Sequence, residues 1–140
     1  MYSFGTKSQQ KLDTCCTELQ QVADRVMGYQ IMDFTIVWGH RGEAAQNAAF
    51  DSNASTKRWP DSNHNIYPSD ALDFAPWVIT GGRGGIDWND THSFAILAGL
   101  FLAASVELTI ISRYGGDWDR DGQTSDQTFM DWGHIEVIRT

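Results

Sequence analysis

Hydrophobic residues recur at spacings of three and four near the start of the chain. Between residues 8 and 27 they follow the period of one face of an α-helix. The positions concerned are Leu12, Cys16, Leu19, Val22, Ala23 and Val26. Gly28 follows the last of them, and glycine commonly ends a helix. The sequence therefore predicts one amphipathic helix that stops at Gly28.

Short extended stretches alternate with helical and loop segments over the rest of the chain. The clearest strand covers residues 33–39, which are dense in β-branched and aromatic residues. Further strands are predicted at 71–75, 112–116 and 134–138. Helices are predicted over 42–50 and from a cap at Asn89 or Asp90 to about Ile111. Polar, glycine-rich or proline-containing segments predict loops at 51–69, 81–85 and 117–126. This order is typical of an α+β fold with a small, mainly antiparallel sheet flanked by helices.

Size and charge narrow the possible classes of protein. The 140 residues fit a single domain spanning 1–140. A formal net charge of −8, without any dense run of Lys and Arg, argues against nucleic acid as a partner. The longest apolar stretch, Phe94 to Val106, is shorter than the roughly 20 residues that span a bilayer. We therefore expect a buried core helix there and no stable membrane insertion.

The N-terminal region gives two expectations about the cell compartment. Cys15 and Cys16 are adjacent, and neighbouring cysteines rarely bridge each other, so both are expected to be free thiols on the first helix. The first residues lack the charged-then-apolar pattern of a signal peptide. Both features suit a protein made in a reducing cytoplasm.

Two of the four histidines lie near carboxylates in informative contexts. His64 precedes Asp73, and His134 follows Asp131 by three residues. A catalytic zinc site uses three protein ligands and keeps one position open, and two histidines with one aspartate meet that count. The spacing alone leaves open the alternative that these are ordinary surface groups, since it matches no compact metal motif.

The combined pattern resembles a known family of bacteriophage enzymes. Its parts are Ser62-x-His64, Pro68-Ser69-x-Ala71-x-Asp73-x-Ala75-Pro76, Asp131-x-x-His134-x-Glu136, residues 39–47 and residues 113–119. Together they resemble the phage endolysins of the zinc D-Ala-D-Ala carboxypeptidase and L-alanyl-D-glutamate endopeptidase family. The resemblance covers roughly residues 10–138 and implies the fold that Hedgehog signalling proteins share with D-Ala-D-Ala peptidases. The segment from His64 to Asp73 is longer than in vancomycin-resistance dipeptidases, and Asp131 replaces their glutamate, as in the phage enzymes.

The resemblance implies a role for each matching residue. His64, Asp73 and His134 would bind one zinc ion per chain. Asp131 would act as general base and then as general acid. Arg41 would steady the substrate or the developing oxyanion, although a surface pair with Glu43 or Asp51 is the plainer alternative.

Other residues of the pattern are candidates for contact with the substrate. These are Ser62, Gln46, Trp118 and Trp132, of which the tryptophans are equally good core residues. Glu136 shares a strand face with His134. It could support that histidine, act as an alternative base or be a plain surface residue, and we favour support of the histidine or of the local structure. Asp117-x-Asp119-x-Asp121-Gly122 resembles the start of a calcium loop, but Thr128 stands where a bidentate glutamate is expected. An acidic turn is therefore favoured there.

The implied function is hydrolysis of stem peptides in bacterial peptidoglycan, at an L-Ala–D-Glu or a D-Ala–D-Ala-type bond. As a monomeric phage endolysin without a separate wall-binding domain, the protein would wait in the host cytoplasm and reach the wall after membrane permeabilisation. One alternative is a catalytically inactive, zinc-containing module that binds cell wall or a protein. Another is a metal-free domain with these side chains at its surface.

Overall fold

A computed structural model describes residues 1–125 and 131–139 of the chain. Thr128, at the twelfth position of the calcium-like pattern, lies outside the described residues. The described parts form an α+β structure with helices packed on a small antiparallel sheet, which confirms the predicted fold class. The helices are α1 (Thr6–Leu12), α2 (Thr17–Tyr29), α3 (Glu43–Asp51) and α4 (Thr91–Glu107).

Four of the strands make the main sheet. The strands are β1 (Phe34–Trp38), β2 (Ala71–Pro76), β3 (Val78–Thr80), β4 (Arg83–Gly85), β5 (Ser112–Tyr114) and β6 (His134–Val137). The main sheet has the order β1-β2-β6-β5 with every neighbouring pair antiparallel, and β3 and β4 form a separate hairpin. The strands predicted at 33–39, 71–75, 112–116 and 134–138 are all present and differ only at their ends.

The two faces of the main sheet have different chemistry because side chains alternate along each strand. Ile36, Leu72, Phe74 and Ile135 lie in the hydrophobic core with residues of α2 and α4. Leu97 and Phe101 of α4 are fully buried, and the Phe101 ring stacks on Phe74 at 4.5 Å. The intervening positions of β2 and β6 carry the polar residues Asp73, His134 and Glu136. One face of the sheet is therefore packed in the hydrophobic core, and the other face carries the polar side chains.

The predicted first helix is in fact two helices. After Leu12, residues 13–14 form a turn and Cys15 makes a parallel bridge with Ser69. Ser69 N donates to Thr14 O at 2.8 Å, and Cys16 N donates to Ser69 O at 2.9 Å. Cys15 and Cys16 are free thiols and buried, but they lie in this break and not on a helix. The helix predicted from the spacing of hydrophobic residues is therefore interrupted by backbone pairing with a distant segment, which that spacing does not show.

Three other local predictions need correction. The second helix passes through Gly28 and ends at Tyr29, where Gln30 takes the left-handed conformation with φ 57°. Residues 81–85 belong to the β3–β4 hairpin, whose turn is Gly81-Gly82 with positive φ at both glycines. Helix α4 stops at Glu107, short of Ile111, after a start capped by Asp90 as predicted.

The segment between α3 and β2 lies near the polar face of the sheet. It contains a short 3-10 helix, Asn63–Asn65, which contacts β2. This segment was predicted as a loop, and apart from that turn it is one. Within the described residues, no helix combines the length and apolar character needed to cross a bilayer.

Candidate metal centre and active site

Asp73 and His134 meet because their strands pair in one register. They are direct cross-strand partners on β2 and β6, so both side chains emerge from the same face. Asp73 Oδ1 lies 3.0 Å from His134 Nδ1. The strand pairing therefore fixes this part of the site without any loop.

His64 reaches the same carboxylate from the 3-10 helix. The Ser62 hydroxyl accepts a hydrogen bond from His64 N at 3.2 Å, and Asn65 Oδ1 accepts one from Ser62 N at 3.0 Å, a reciprocal cap that fixes the turn. His64 Nδ1 donates to the carbonyl of Gly39 at 2.8 Å. That bond leaves Nε2 facing Asp73 Oδ1 at 3.2 Å.

The three groups form a nearly buried cluster that could hold a metal ion. One donor atom from each of His64, Asp73 and His134 lies within 4.8 Å of the others. His64 Nδ1 and His134 Nε2 already contact the Gly39 carbonyl and the Glu136 carboxylate. In a neutral imidazole the second nitrogen then carries a lone pair, and both lone pairs point at an acceptor oxygen of Asp73. The lone pairs of the two nitrogens and of the carboxylate oxygen would repel one another. A cation between them removes this repulsion, so the donor set fits a divalent metal.

The pKa values of the cluster agree with a site that attracts positive charge. Burial lowers the pKa of His134, but hydrogen bonds to Asp73 and Glu136 outweigh burial and raise it to about 10. Burial also opposes ionisation of Asp73, yet the charges of His64 and His134 hold the pKa of Asp73 below its ordinary value. Protons thus supply the charge that a bound cation would provide.

Asp131 lies beside the cluster and outside its inner contacts. Its Oδ2 is 3.9 Å from His134 Nδ1, and its side chain is 35% exposed against 15% for Asp73. Burial, reinforced by the negative charge of Asp73, raises the pKa of Asp131 above its ordinary value. A partly open carboxyl group with a raised pKa is suited to exchanging protons with a substrate or water.

Arg41 is a buried cation within this site. Its Nη2 donates to Asp73 Oδ2 at 3.2 Å, and its Nη1 donates to Gln46 Oε1 at 3.2 Å. The alternative surface pairs with Glu43 or Asp51 do not form, and Asp51 pairs with Arg58. The guanidinium is therefore fixed beside the candidate metal ligands.

An open cavity of about 280 Å³ gives access to these side chains. Its walls are the polar face of the sheet, the 3-10 helix and residues 54–57. The cavity exposes Arg41, Asp131 and the three candidate ligands together. An extended peptide can therefore reach the cluster from solvent.

Comparison with known proteins identifies the family. The family model of the phage L-alanyl-D-glutamate peptidase matches residues 1–138. The L-alanyl-D-glutamate peptidase of Escherichia phage T5 is 37% identical, and the match covers 98% of this chain and 98% of that protein. The chain belongs to the phage L-alanyl-D-glutamate peptidase family. It is therefore a peptidase, and the enzyme class expected from the sequence is confirmed.

The fold of this peptidase is also found in a solved bacterial structure. The crystal structure of the Serratia marcescens L-Ala D-Glu endopeptidase ChiX matches with a TM-score of 0.73. The match covers 99% of this chain and 90% of that one at 21% identity. At this identity the likeness supports the shared architecture.

The structure separates the four residues predicted to contact substrate. Ser62 and Trp118 line the cavity, and the Trp118 ring lies 5.5 Å from that of His134. Gln46 is fully buried, so it cannot touch a substrate and instead holds Arg41. Trp132 packs against the hydrophobic core and is not part of the cavity wall. Full burial thus excludes contact for Gln46, whereas Trp132 is half-buried and its contact with substrate stays a prediction.

Glu136 supports the site from behind His134. Its Oε1 accepts from His134 Nε2 at 2.8 Å, and its Oε2 accepts from Asn63 Nδ2 at 3.0 Å and Arg113 Nη2 at 2.7 Å. A carboxylate in this position orients a metal-binding histidine and fixes its tautomer. The expectation that Glu136 supports His134 agrees with this geometry.

Sequence reasoning assigned no role to Asn63, Lys57 or Arg113, although all three line the cavity. Arg113 stands opposite Glu136 in the β5–β6 pairing. The opposite charges of Arg113 and Glu136 could have indicated that they pair. That signal becomes usable only once β5 and β6 are known to be neighbours.

The acidic segment forms a turn, as expected. Asp117, Asp119 and Asp121 lie close together. The Asp117 carboxylate accepts hydrogen bonds from Asp121 N at 3.1 Å and Gly122 N at 2.8 Å. These backbone contacts account for the position of Asp117 within the turn.

Proposed function

We propose that this peptidase hydrolyses the L-alanyl–D-glutamate bond of peptidoglycan stem peptides, with one zinc ion held by His64, Asp73 and His134. The observation that carries the proposal is the convergence of two imidazoles and a carboxylate at the base of an open cavity, with a second carboxylate beside them. Family membership supports the choice of bond, because the phage T5 relative is named for it.

Zinc is the metal that this donor set favours. Two histidines and one carboxylate are a common protein ligand set for catalytic zinc. When bound, zinc supplies a Lewis acid that polarises a carbonyl and makes water acidic at neutral pH. The support for His134 from Glu136 and for His64 from Gly39 would hold both rings in the orientation that such an ion needs.

Asp131 is the proton carrier in this proposal. Its carboxylate removes a proton from the attacking water and then gives it to the leaving amine. The raised pKa of Asp131 favours the first step, because a more basic carboxylate takes a proton from water more readily.

Arg41 provides fixed positive charge for the carbonyl oxygen under attack. Asp73 and Gln46 hold the guanidinium in place, so little reorganisation is needed as negative charge develops on that oxygen. Asp73 neutralises part of the arginine charge before the substrate arrives, which lowers the cost of burying it.

We further propose that the protein acts as a monomeric lytic enzyme of a bacteriophage. It would accumulate in the host cytoplasm and reach peptidoglycan once the membrane is permeabilised. Membership of a phage peptidase family supports this setting. Release of active protein from cells with intact membranes would contradict it.

Removal and return of the metal test the central proposal. Purified protein is stripped with a chelator, and new amino termini released from cell walls are followed before and after zinc is added back. Mass spectrometry of the fragments identifies the bond. We expect fragments that begin with D-glutamate, loss of cleavage on stripping and recovery with zinc.

Two results would contradict the proposal in different ways. Cleavage that survives complete metal removal rules out the zinc mechanism. Wall binding without hydrolysis, by protein that retains zinc, favours the inactive binding module instead.

A further inference from the structure

Arg113 is a second arginine in the cavity, and its surroundings differ from those of Arg41. It lies on β5 and lines the cavity together with the candidate metal ligands. Its side chain is 36% exposed, whereas that of Arg41 is 7% exposed. Arg113 is therefore the more accessible of the two guanidinium groups to a ligand entering the cavity.

The hydrogen bonds of Arg113 leave part of its donor capacity unused. A guanidinium has five N–H donors. Nη2 donates to Glu136 Oε2 at 2.7 Å, and the enclosed Nε finds no acceptor among residues 1–125 and 131–139. Arg41 Nε likewise finds no acceptor in those residues, but both terminal nitrogens of Arg41 are engaged. A ligand would reach Arg113 through its terminal nitrogens, of which Nη1 has no acceptor in the described parts of the chain.

Arg113 is also held firmly enough to select a ligand. Glu136 fixes one end of the guanidinium and is itself held by His134 and Asn63. The guanidinium carbon lies 5.5 Å from the centre of the Trp118 ring. A cation that is oriented before binding loses little freedom when a ligand arrives.

The proposed substrate carries a matching charge close to the bond that is cut. A D-glutamate residue has two carboxyl groups, and a linear peptide continues through only one of them. The other is free, and it belongs to the residue whose amine leaves. An arginine–carboxylate contact is charge-assisted and directional.

We propose that Arg113 binds the free carboxylate of the substrate's D-glutamate residue and so makes the peptidase prefer an acidic residue after the scissile bond. The inference rests on the proposed function, since it names the residue that recognises the leaving side of that substrate.

Two peptides that differ in one functional group provide the test. One contains D-glutamate after the scissile bond, and the other contains D-isoglutamine, in which the free carboxylate is an amide. We expect the zinc-loaded wild type to cleave the acid with a kcat/KM at least tenfold above that for the amide, because hydrogen bonds between charged partners are the strong class. Arg113→Met should remove this preference by slowing cleavage of the acid alone.

Lys57→Met is the matched control. Lys57 lines the same cavity and carries the same charge, but it has no contact with Glu136 among the described residues. If charge in the cavity were sufficient, both variants would lose the preference; we expect Lys57→Met to keep it. Zinc content and circular dichroism of Arg113→Met should match the wild type, and Arg113→Lys should show an intermediate preference.

A binding measurement separates this inference from the proposed function. Calorimetry with the zinc-loaded Asp131→Asn variant gives affinities for both peptides without turnover. We expect tighter binding of the acid, and equal binding of the two peptides once Arg113→Met is added. Equal binding by Asp131→Asn alone, or a preference that persists without Arg113, would overturn the inference. Failure of the wild type to cleave either peptide would instead count against the proposed function.

Discussion

Asp131 differs from Asp73 in exposure and in the way its surroundings act on its charge. Asp73 is enclosed by His64, His134 and Arg41, which all favour its ionised form. Asp131 is more open, and the charge of Asp73 disfavours its ionisation. The two carboxylates are therefore suited to different tasks, one to hold a cation and the other to move a proton.

Replacing Asp131 by asparagine should separate those tasks. The amide keeps the size of the side chain but cannot accept the proton, so we expect kcat to fall by about 10²–10⁴-fold. Zinc content, measured by elemental analysis, should stay unchanged because Asp131 is not part of the ligand cluster. Loss of zinc together with activity would show that Asp131 holds the metal.

The pH dependence of cleavage should follow from the same carboxylate. Its raised pKa means that Asp131 becomes protonated at a higher pH than an ordinary aspartate, and the protonated form cannot act as a base. The acidic limb of kcat/KM should thus lie above the ordinary aspartate value of 3.8. Activity that stays constant down to that pH would contradict the role of Asp131 as base.

Individual site residues were predictable where chemistry and motif agreed. His64, Asp73 and His134 were selected by residue type and resemblance, and the structure brings them together. Gln46 and Trp132 belong to the matching sequence pattern as well. In the structure, however, Gln46 contacts Arg41 and Trp132 packs against the hydrophobic core. The sequence thus identifies which chemical groups belong to the site. Whether a given side chain is exposed to substrate depends on tertiary packing, which the order of residues along the chain does not show.

At the scale of elements, two glycines allow the strands to bring the site together. A Cβ on Gly115 would lie 2.3 Å from the Asp131 carbonyl oxygen, and one on Gly133 would lie 2.3 Å from that of Phe74. Gly115 N donates to His134 O at 2.8 Å, and Asp131 N donates to Gly115 O at 2.9 Å. The end of β5 therefore fixes the backbone of Asp131 beside that of His134.

Gly115→Ala should reduce activity through a backbone shift. The added methyl must displace Asp131, and a misplacement of about 1 Å can cost roughly 100-fold in rate. Gly99→Ala is the control: a Cβ at Gly99 meets nothing within 4 Å, and the change should stabilise α4 by about 0.5–1 kcal/mol. Activity assays and thermal unfolding of both variants give the comparison. Full activity in Gly115→Ala would contradict the positioning argument.

The accuracy of the predicted elements also depended on contacts between distant segments. Strands appeared where predicted because β-branched and apolar runs are local signals. The break between α1 and α2 was missed since it depends on pairing with Ser69. The β3–β4 hairpin was missed because its glycines suggested a loop, although positive φ at Gly81 and Gly82 is what a tight turn requires.

For the whole molecule, the buried charges predict how the metal-free protein responds to pH. Glu136 has its pKa lowered to about 2 from an ordinary 4.5, so its contribution to stability is complete above pH 4.5 and lost as pH falls through about 2. His134 has its pKa raised to about 10 from 6.5, so its contribution is complete below pH 6.5 and lost as pH rises through about 10. Stability should therefore be greatest between those ordinary values.

Urea unfolding of chelator-treated protein across this pH range measures the effect. Glu136→Gln should flatten the decline on the acidic side, because that side depends on the Glu136 carboxylate. It should also weaken the alkaline decline, since His134 then loses one of its acidic partners. A free energy of unfolding that is the same at pH 3, 5.5 and 9 would contradict the argument.

Because Asp73 pairs directly with His134, the proposed metal ion would bind well only when the two strands are correctly aligned. If β6 slid by one residue along β2, His134 would turn toward the helices and Ile135 would take its place beside the cavity. Such a mispaired sheet would present a single imidazole to zinc and bind it poorly. Metal binding would then stabilise the correct alignment alone, so the zinc ion proposed for hydrolysis would also favour correct strand pairing during folding.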